Sequence, residues 1–206
     1  MNVESTFDTV ARGIAADVVI LGAGSHHNRK IEVDGRSDWK GQSVATIDYE
    51  PRHKPTLVWD LNVLPWPVAD SSAQEIHAYE ILEHLGTQGD AEAFFNHFYE
   101  CWRILKPNGH LVATVPHWQS LWAFGDPSHR RVINSGSLVF LDQMEYRYQI
   151  DGIAKPDGSR KKTPMSDFRS IWHGDFKSVG SCVYRDDEGN PSNFAFVLQA
   201  IKPVRS

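Results

Sequence analysis

Gly22-Ala23-Gly24, Asp48 and Asp60 stand at the ends of three short β-type runs: Val18–Leu21, Val44–Ile47 and Thr56–Trp59. Each suits one part of a nucleoside. A Gly-x-Gly turn lets backbone press against a ligand because no Cβ intervenes. A carboxylate after the second run can accept hydrogen bonds from a ribose diol. One after the third can accept from an exocyclic amine such as the adenine N6. In open α/β sheets, ligands collect at the carboxyl ends of the strands, near the switch point. Three polar strand ends in a row therefore outline one cofactor pocket. The third glycine of a dinucleotide fingerprint is absent, with His26 in its place.

A second constellation is Tyr79-Glu80-Ile81-Leu82-Glu83-His84. If Glu80 opens a helical turn, Glu83 and His84 lie at i+3 and i+4, on one face. Two carboxylates and an imidazole there make a candidate divalent-metal site. An oxygen-rich set suits Mg²⁺ or Mn²⁺, and Zn²⁺ if two histidines join. The plainer alternative is a local cap or ion pair without metal. Among ten histidines, His129 and His117 are the candidate general bases, because an imidazole titrates near neutrality. His53, His77, His97 and His110 read as surface, strand or helix residues. Arg130 and Arg131 form either a clamp for a phosphate or carboxylate on the substrate or a solvated pair. Trp118, Trp122 and Phe124 either stack on a planar or sugar substrate or pack as a lid.

The elements that must position these groups alternate between β and α. Residues 1–16 are read as a helix or irregular cover. Strands are expected at 18–22, 44–48, 56–60 and 73–78. Residues 25–43, with Gly35, Gly41 and scattered charges, give no helical apolar period. Phe94, Phe95, Phe98, Trp102 and Leu105 recur at three- and four-residue spacing, predicting a helix over 89–104 that Pro107 and Gly109 stop. A fifth strand follows at His110–Val115. Residues 117–135 are a polar, aromatic loop, and Ser135 to Gln149 a helix with Leu138, Leu141 and Met144 on one side. Residues 151–166 are a loop or flap. Phe176–Tyr184 and Asn193–Ile201 close the chain as a β-hairpin.

The segments LGAG at Leu21–Gly24, Ile47-Asp48, Asp60-Leu61, Leu64-Pro65-Trp66, EILEHL at Glu80–Leu85 and RILKPNGHLVATVP at Arg103–Pro116 follow one another in a known order. Over residues 18–140 the chain resembles the class I S-adenosylmethionine (SAM) dependent methyltransferases, in a group whose helix after the first strand is cut short. The resemblance implies an α/β fold: a single Rossmann-like methyltransferase domain over 1–206, with a mostly parallel seven-stranded sheet and a terminal antiparallel hairpin. For SAM it implies a site built from Gly22, Ala23, Gly24 and Ser25, from Asp48 and Tyr49, from Asp60 and Leu61, and from Tyr79. The Glu-x-x-Glu-His pattern is also similar to metal-dependent methyltransferases of the small-RNA 2′-hydroxyl and of catechols on the ubiquinone pathway. That similarity implies a metal on Glu80, Glu83, His84 and His129, the last in Asp126-Pro127-Ser128-His129, with His117 as runner-up. The residues after the fourth strand lack the Asn/Asp-Pro-Pro-Tyr signature of DNA amine methylation.

The activity implied is O-methylation of a small hydroxylated molecule, a sugar or nucleotide-like diol. An N-methyltransferase and a non-catalytic SAM- or nucleoside-binding module are the alternatives. A length of 206 residues and a net charge of −5 fit one domain with a real core and a small-molecule partner. They disfavour an extended duplex nucleic acid. Cys101 and Cys182, on apolar-rich segments, read as packing residues in a reducing compartment. No apolar run approaches a membrane span and no signal-peptide core opens the chain, so a cytoplasmic, membrane-free protein is expected.

Overall fold

The computed structural model describes residues 13–25, 27–33, 35–160 and 165–205. Most of the expected cover over 1–16, and His26, lie outside them. Seven strands form one sheet: β1 (Val18–Leu21), β2 (Val44–Asp48), β3 (Leu57–Val58), β4 (Ala73–Tyr79), β5 (Leu105–Pro116), β6 (Phe176–Arg185) and β7 (Pro191–Ala200). Their order is β3-β2-β1-β4-β5-β7-β6. β1 to β5 run parallel, and β7 is antiparallel to both β5 and β6. The α/β class, the mostly parallel sheet and the closing hairpin agree with expectation. β1 has β2 on one side and β4 on the other, so the switch point lies where β1 and β4 end.

β1 is buried along its whole length because the parallel centre of the sheet is covered on both faces. One face presents Leu21, Ile47, Ile76, Ala113 and Val115 to α1 (Ala91–Ile104). That helix turns Phe95, Phe98, Cys101 and Ile104 inward at the predicted spacing. Asp90 caps its start by accepting a bond from the Ala93 N–H at 2.9 Å. The chain leaves α1 directly into β5. Residues 106–109 bulge between the Ala73–Leu105 and Glu75–His110 pairs, so the strand is longer than the 110–115 expected.

The opposite face is covered differently. No helix forms in the described part of 22–43. Ile31, Val33 and Trp39 lie instead on Val18, Ile20, Tyr79 and Val112. β3 has only two residues, against five expected. The helix expected over 135–149 is broken into helical turns at Ser135–Leu138, Val139–Leu141, Gln143–Tyr146 and Arg147–Asp151. Asp142 breaks it: extended, it caps Met144 with its own carboxylate and pairs with Arg205 at 2.7 Å. A carboxylate used as a new N-cap and held from outside overrides the apolar period. The aromatic loop after β5 carries a short helix, Leu121–Gly125. Cys101 is buried as expected, whereas Cys182 is exposed on β6.

Candidate functional site

At the carboxyl ends of β1, β2 and β3 lies a cavity of about 380 Å³ whose wall includes Gly22, Gly24, Asp48, Tyr49, Asp60 and Leu61. Gly22 has φ +57°, and a Cβ there would lie 2.5 Å from the Ile81 side chain. Glycine is therefore needed for both the turn and the close approach. Gly24 is also left-handed, but faces open space. Asp48 is buried, yet its carboxylate is held open by backbone donors: Gly24 N–H to Oδ2 and Glu50 N–H to Oδ1, each 2.8 Å. Those bonds tie the glycine turn to β2 and leave further lone pairs for a diol. Asp60 Oδ1 is fixed by the Asn62 N–H at 2.9 Å, and Asn62 Oδ1 in turn accepts from Gly86 N–H.

The cavity wall continues to Glu80, His84 and Ser128. Glu80 does not open a helical turn. It sits at φ +55°, its N–H bonded to the Thr114 carbonyl, and the following turn is a short 3₁₀ helix at Leu82–His84. A non-glycine residue at positive φ costs about 1–3 kcal/mol and is typical of functional sites. The consequence is a divided constellation. Glu83, His84 and His129 each place one ligating atom within 4.8 Å of the others, and Glu80 stands outside that group.

Glu83 is 2% exposed, and neither carboxylate oxygen has a hydrogen-bond partner. Burial, with the neighbouring charges of Glu80 and Asp126, pushes its pKa up to about 8. The histidines are anchored by carbonyls: His84 Nδ1 to Ser128 O at 3.2 Å, and His129 Nδ1 to Trp122 O at 2.8 Å. A carbonyl only accepts, so each Nδ1 donates there, which leaves Nε2 as the nitrogen able to ligate an ion. Orphaned carboxylate oxygens beside two imidazoles oriented through carbonyls fit a divalent cation.

The remaining site residues go elsewhere. Ala23 packs with Val18 and Ile20, and Ser25 is exposed; neither lines the cavity. Tyr79 turns to the far face, where its hydroxyl meets His77 Nδ1 at 2.6 Å and the N–H groups of Lys30 and Ile31. The alternation of β4 dictates this, since Ala78 and Tyr79 must face opposite ways. His117 is buried, accepts from Gln119 N–H at 3.2 Å, and is not in the Glu83 group. Trp118, Trp122 and Phe124 are exposed, so they pack as no closed lid. Of the aromatic loop, Ser128 lines the cavity, and none of the described flap residues does. Residues 161–164 of that flap lie outside the described residues.

Sequence reasoning missed His53, Trp59, Asn62, Ile81 and Leu85 in the wall. His53 Nδ1 lies 3.4 Å from Asp48 Oδ1. Its signal was the pair Glu50-Pro51, a cap and first residue that open the 3₁₀ turn Pro51–His53. No helix of the described residues is long and apolar enough to cross a membrane.

No protein-family model matches the sequence, and no curated protein matches it. Solved structures do match the fold. A SAM-dependent methyltransferase from Archaeoglobus fulgidus aligns over 95% of this chain and 90% of its own, with 15% identity and a TM-score of 0.52. The N-methyltransferase NodS from Bradyrhizobium japonicum WM9 aligns over 97% and 93%, at 11% identity and 0.51. A point mutant of the 16S rRNA (adenine(1408)-N(1))-methyltransferase from Catenulisporales acidiphilia aligns over 98% and 93%, at 11% identity and 0.50. With its strand order, its closing hairpin and a cavity at the switch point, the chain has the fold of SAM-dependent methyltransferases.

Proposed function

We propose that the protein is a SAM-dependent methyltransferase acting on a hydroxyl of a small molecule, a sugar or nucleotide-like diol, in the cytoplasm. The observation that carries this is His84, which lines the cavity that Gly22, Asp48 and Asp60 outline and stands within 4.8 Å, ligating atom to ligating atom, of Glu83 and His129 behind that wall. The ribose diol donates to Asp48, and the adenine amine to Asp60. Glu80, whose Oε1 is buried without a partner on the same wall, suits the methionine ammonium better than it suits a metal. Held so, SAM would have its methyl end on the side of the cavity where His84 stands.

In-line transfer forms a bond from the acceptor oxygen to the methyl carbon as the carbon–sulfur bond breaks. The sulfonium becomes a neutral thioether. Without an ion, the hydroxyl proton passes to His129 Nε2, the nitrogen left free by the Trp122 carbonyl; with an ion, that nitrogen would be a ligand and the proton would leave to solvent. Glu83, His84 and His129 would hold a divalent ion. Such an ion supplies a lowered hydroxyl pKa and fixed acceptor orientation. Protons compete for these ligands, so the ion binds more weakly as pH falls.

Calorimetry with SAM and its demethylated product tests the cofactor half. Asp48→Ala should weaken SAM at least tenfold, since about 1.5–3 kcal/mol is at stake in a charged hydrogen bond. Unchanged affinity in a folded variant overturns the placement. Elemental analysis with a chelator tests the metal half. Glu83→Ala should abolish ion binding and His117→Ala should not. Full methyl transfer in excess chelator would leave His129 as the base and Glu83 as a buried neutral acid.

A further inference from the structure

Arg131 is one of the two arginines whose role the sequence left open, and its neighbour Arg130 is exposed. Arg131 is only 8% exposed. Its Nη2 donates to the carbonyls of Thr87 at 3.0 Å and Asp90 at 3.4 Å, and its guanidinium lies over the Phe94 ring at 5.3 Å. Its Nε is buried with no hydrogen-bond partner. Among the described residues no carboxylate lies within ion-pair distance of it. Asp90, whose charge acts on it, is turned away to cap α1. Gly86 keeps the space: a Cβ there would lie 2.6 Å from Arg131 Nη2. A buried guanidinium with only neutral acceptors is costly unless something supplies its counter-charge.

Beside it is a cavity of about 260 Å³, lined by Arg131, Phe94, Phe95, Phe140, Phe168 and the first residues of α1. None of its wall residues belongs to the cofactor cavity. Apolar rings make most of its wall; Arg131 supplies a buried cation, and Asp90, Gln88 and Ser137 are its other polar side chains, the Asp90 carboxylate being engaged as the α1 cap. Its volume is just below the range of about 300–1,000 Å³ for ordinary ligand pockets, which limits the guest to roughly one ring or a short chain.

We propose that this cavity is a second binding site, for a small carboxylate with an aromatic or short alkyl body. The carboxylate meets the Arg131 guanidinium and the apolar body lies among the phenylalanines. The site is joined to the methyl-transfer centre through the backbone. Arg130 and Arg131 N–H both donate to the Glu83 carbonyl, at 2.8 and 3.1 Å, and His129 is the next residue along.

The test is calorimetric titration of the full chain with benzoate, phenylacetate and hexanoate, and with phenylacetamide as the uncharged control. At least one carboxylate should bind at one site, at least tenfold tighter than the amide. Arg131→Gln should lose that affinity tenfold or more. Val132→Trp, which fills the cavity from its wall without touching the charge, should do the same. SAM titration of each variant, expected to match the parent chain, keeps failure here distinct from failure of the cofactor site. Absence of binding by all three acids at millimolar concentration overturns the proposal. Equal binding of acid and amide, or binding undiminished in Val132→Trp, overturns it too. Should Arg131→Gln fail to fold, the amide comparison and Val132→Trp still decide.

Discussion

Two crossovers cover the centre of the sheet, and they are held by opposite kinds of force. Between β4 and β5 the chain forms α1, which buries Phe95, Phe98, Cys101 and Ile104 on one face of the sheet. Between β1 and β2 it forms no helix in the described residues and docks through charge. Arg29 Nη1 meets Glu75 Oε2 at 2.6 Å. His77 Nε2 meets the same oxygen at 2.8 Å, and His77 Nδ1 meets the Tyr79 hydroxyl. Arg29 also stacks on Trp39 at 4.3 Å and bonds to Gln42 and to the Asp38 carbonyl. An apolar helix is tolerant: any side chains of suitable volume hold it. A buried polar network is unforgiving, because each member left alone loses its partner in a low-dielectric interior. The unforgiving crossover is the one that follows Gly22 and Gly24.

The largest test of this contrast is Glu75→Ala. It leaves Arg29 buried without a counter-charge and His77 without its Nε2 partner. Removing one member of a buried pair costs about 3–5 kcal/mol, read as the shift of a urea midpoint. SAM affinity should fall with it, since residues 27–42 loosen next to Gly22–Gly24. A loss under about 1 kcal/mol would mean that apolar contacts of Ile31, Val33 and Trp39 hold the segment.

Acid should separate the two crossovers almost as strongly. Burial alone would raise the Glu75 pKa, but the hydrogen bonds from His77 and Arg29 and the Arg29 charge outweigh it and hold it at about 2. Its unfolded value is near 4.5. A depressed carboxylate contributes its stabilisation above the unfolded pKa and loses it as pH falls through the folded one. The window is therefore pH 4.5 down to about 2, and the contribution about 3 kcal/mol. Stability against pH should fall through that window in the parent chain. In Glu75→Gln this component should be absent, leaving a shallower curve.

The same contrast explains what could be read in the sequence. α1 was legible because an apolar period of 3.6 is a local property of Phe94, Phe95, Phe98, Trp102 and Leu105. The glycine turn, Asp48 and Asp60 were legible because strand ends are local too, and these residues do line the cavity. The Arg29 network was not legible: Glu75 and His77 looked like ordinary β4 residues, Tyr79 stood among the residues implied for SAM, and Arg29 is 46 positions away from Glu75. Tyr79 was assigned to the wrong side for that reason. Glu80 was misplaced because helical spacing assumed a helix, while its backbone is left-handed. Glu83, His84 and His129 came together across a loop that only family likeness, not spacing, could place.

Tyr79→Phe sharpens the comparison at smaller scale. The ring stays packed against Val33 and Val112, so the loss is confined to the hydroxyl. His77 Nδ1 and the N–H groups of Lys30 and Ile31 lose their partner. Buried groups left unsatisfied cost about 1–3 kcal/mol. Stability should fall by about 2 kcal/mol, with no direct loss of a cofactor contact. A SAM affinity that drops while the melting temperature holds would return Tyr79 to the cofactor wall.

The smallest expected effect belongs to the helical crossover. Asp90→Ala removes the α1 N-cap, whose carboxylate accepts the Ala93 N–H. That bond is exposed, so water replaces it, and the cost is about 1 kcal/mol. The apolar face of α1 is untouched: Phe95, Phe98, Cys101 and Ile104 remain buried against β4 and β5. SAM affinity should stay constant, because α1 contributes nothing to the cofactor cavity. Asp90→Asn should restore most of the stability, since an amide oxygen caps nearly as well. The carboxylate is also a negative charge that acts on Arg131, so both variants should bind the test carboxylates at least as tightly as the parent chain. A loss of about 3 kcal/mol or more, the cost of breaking a buried pair, not rescued by asparagine, would show that the Asp90 charge holds Arg131 in place. Charge would then anchor this crossover as it does the one after Gly22 and Gly24.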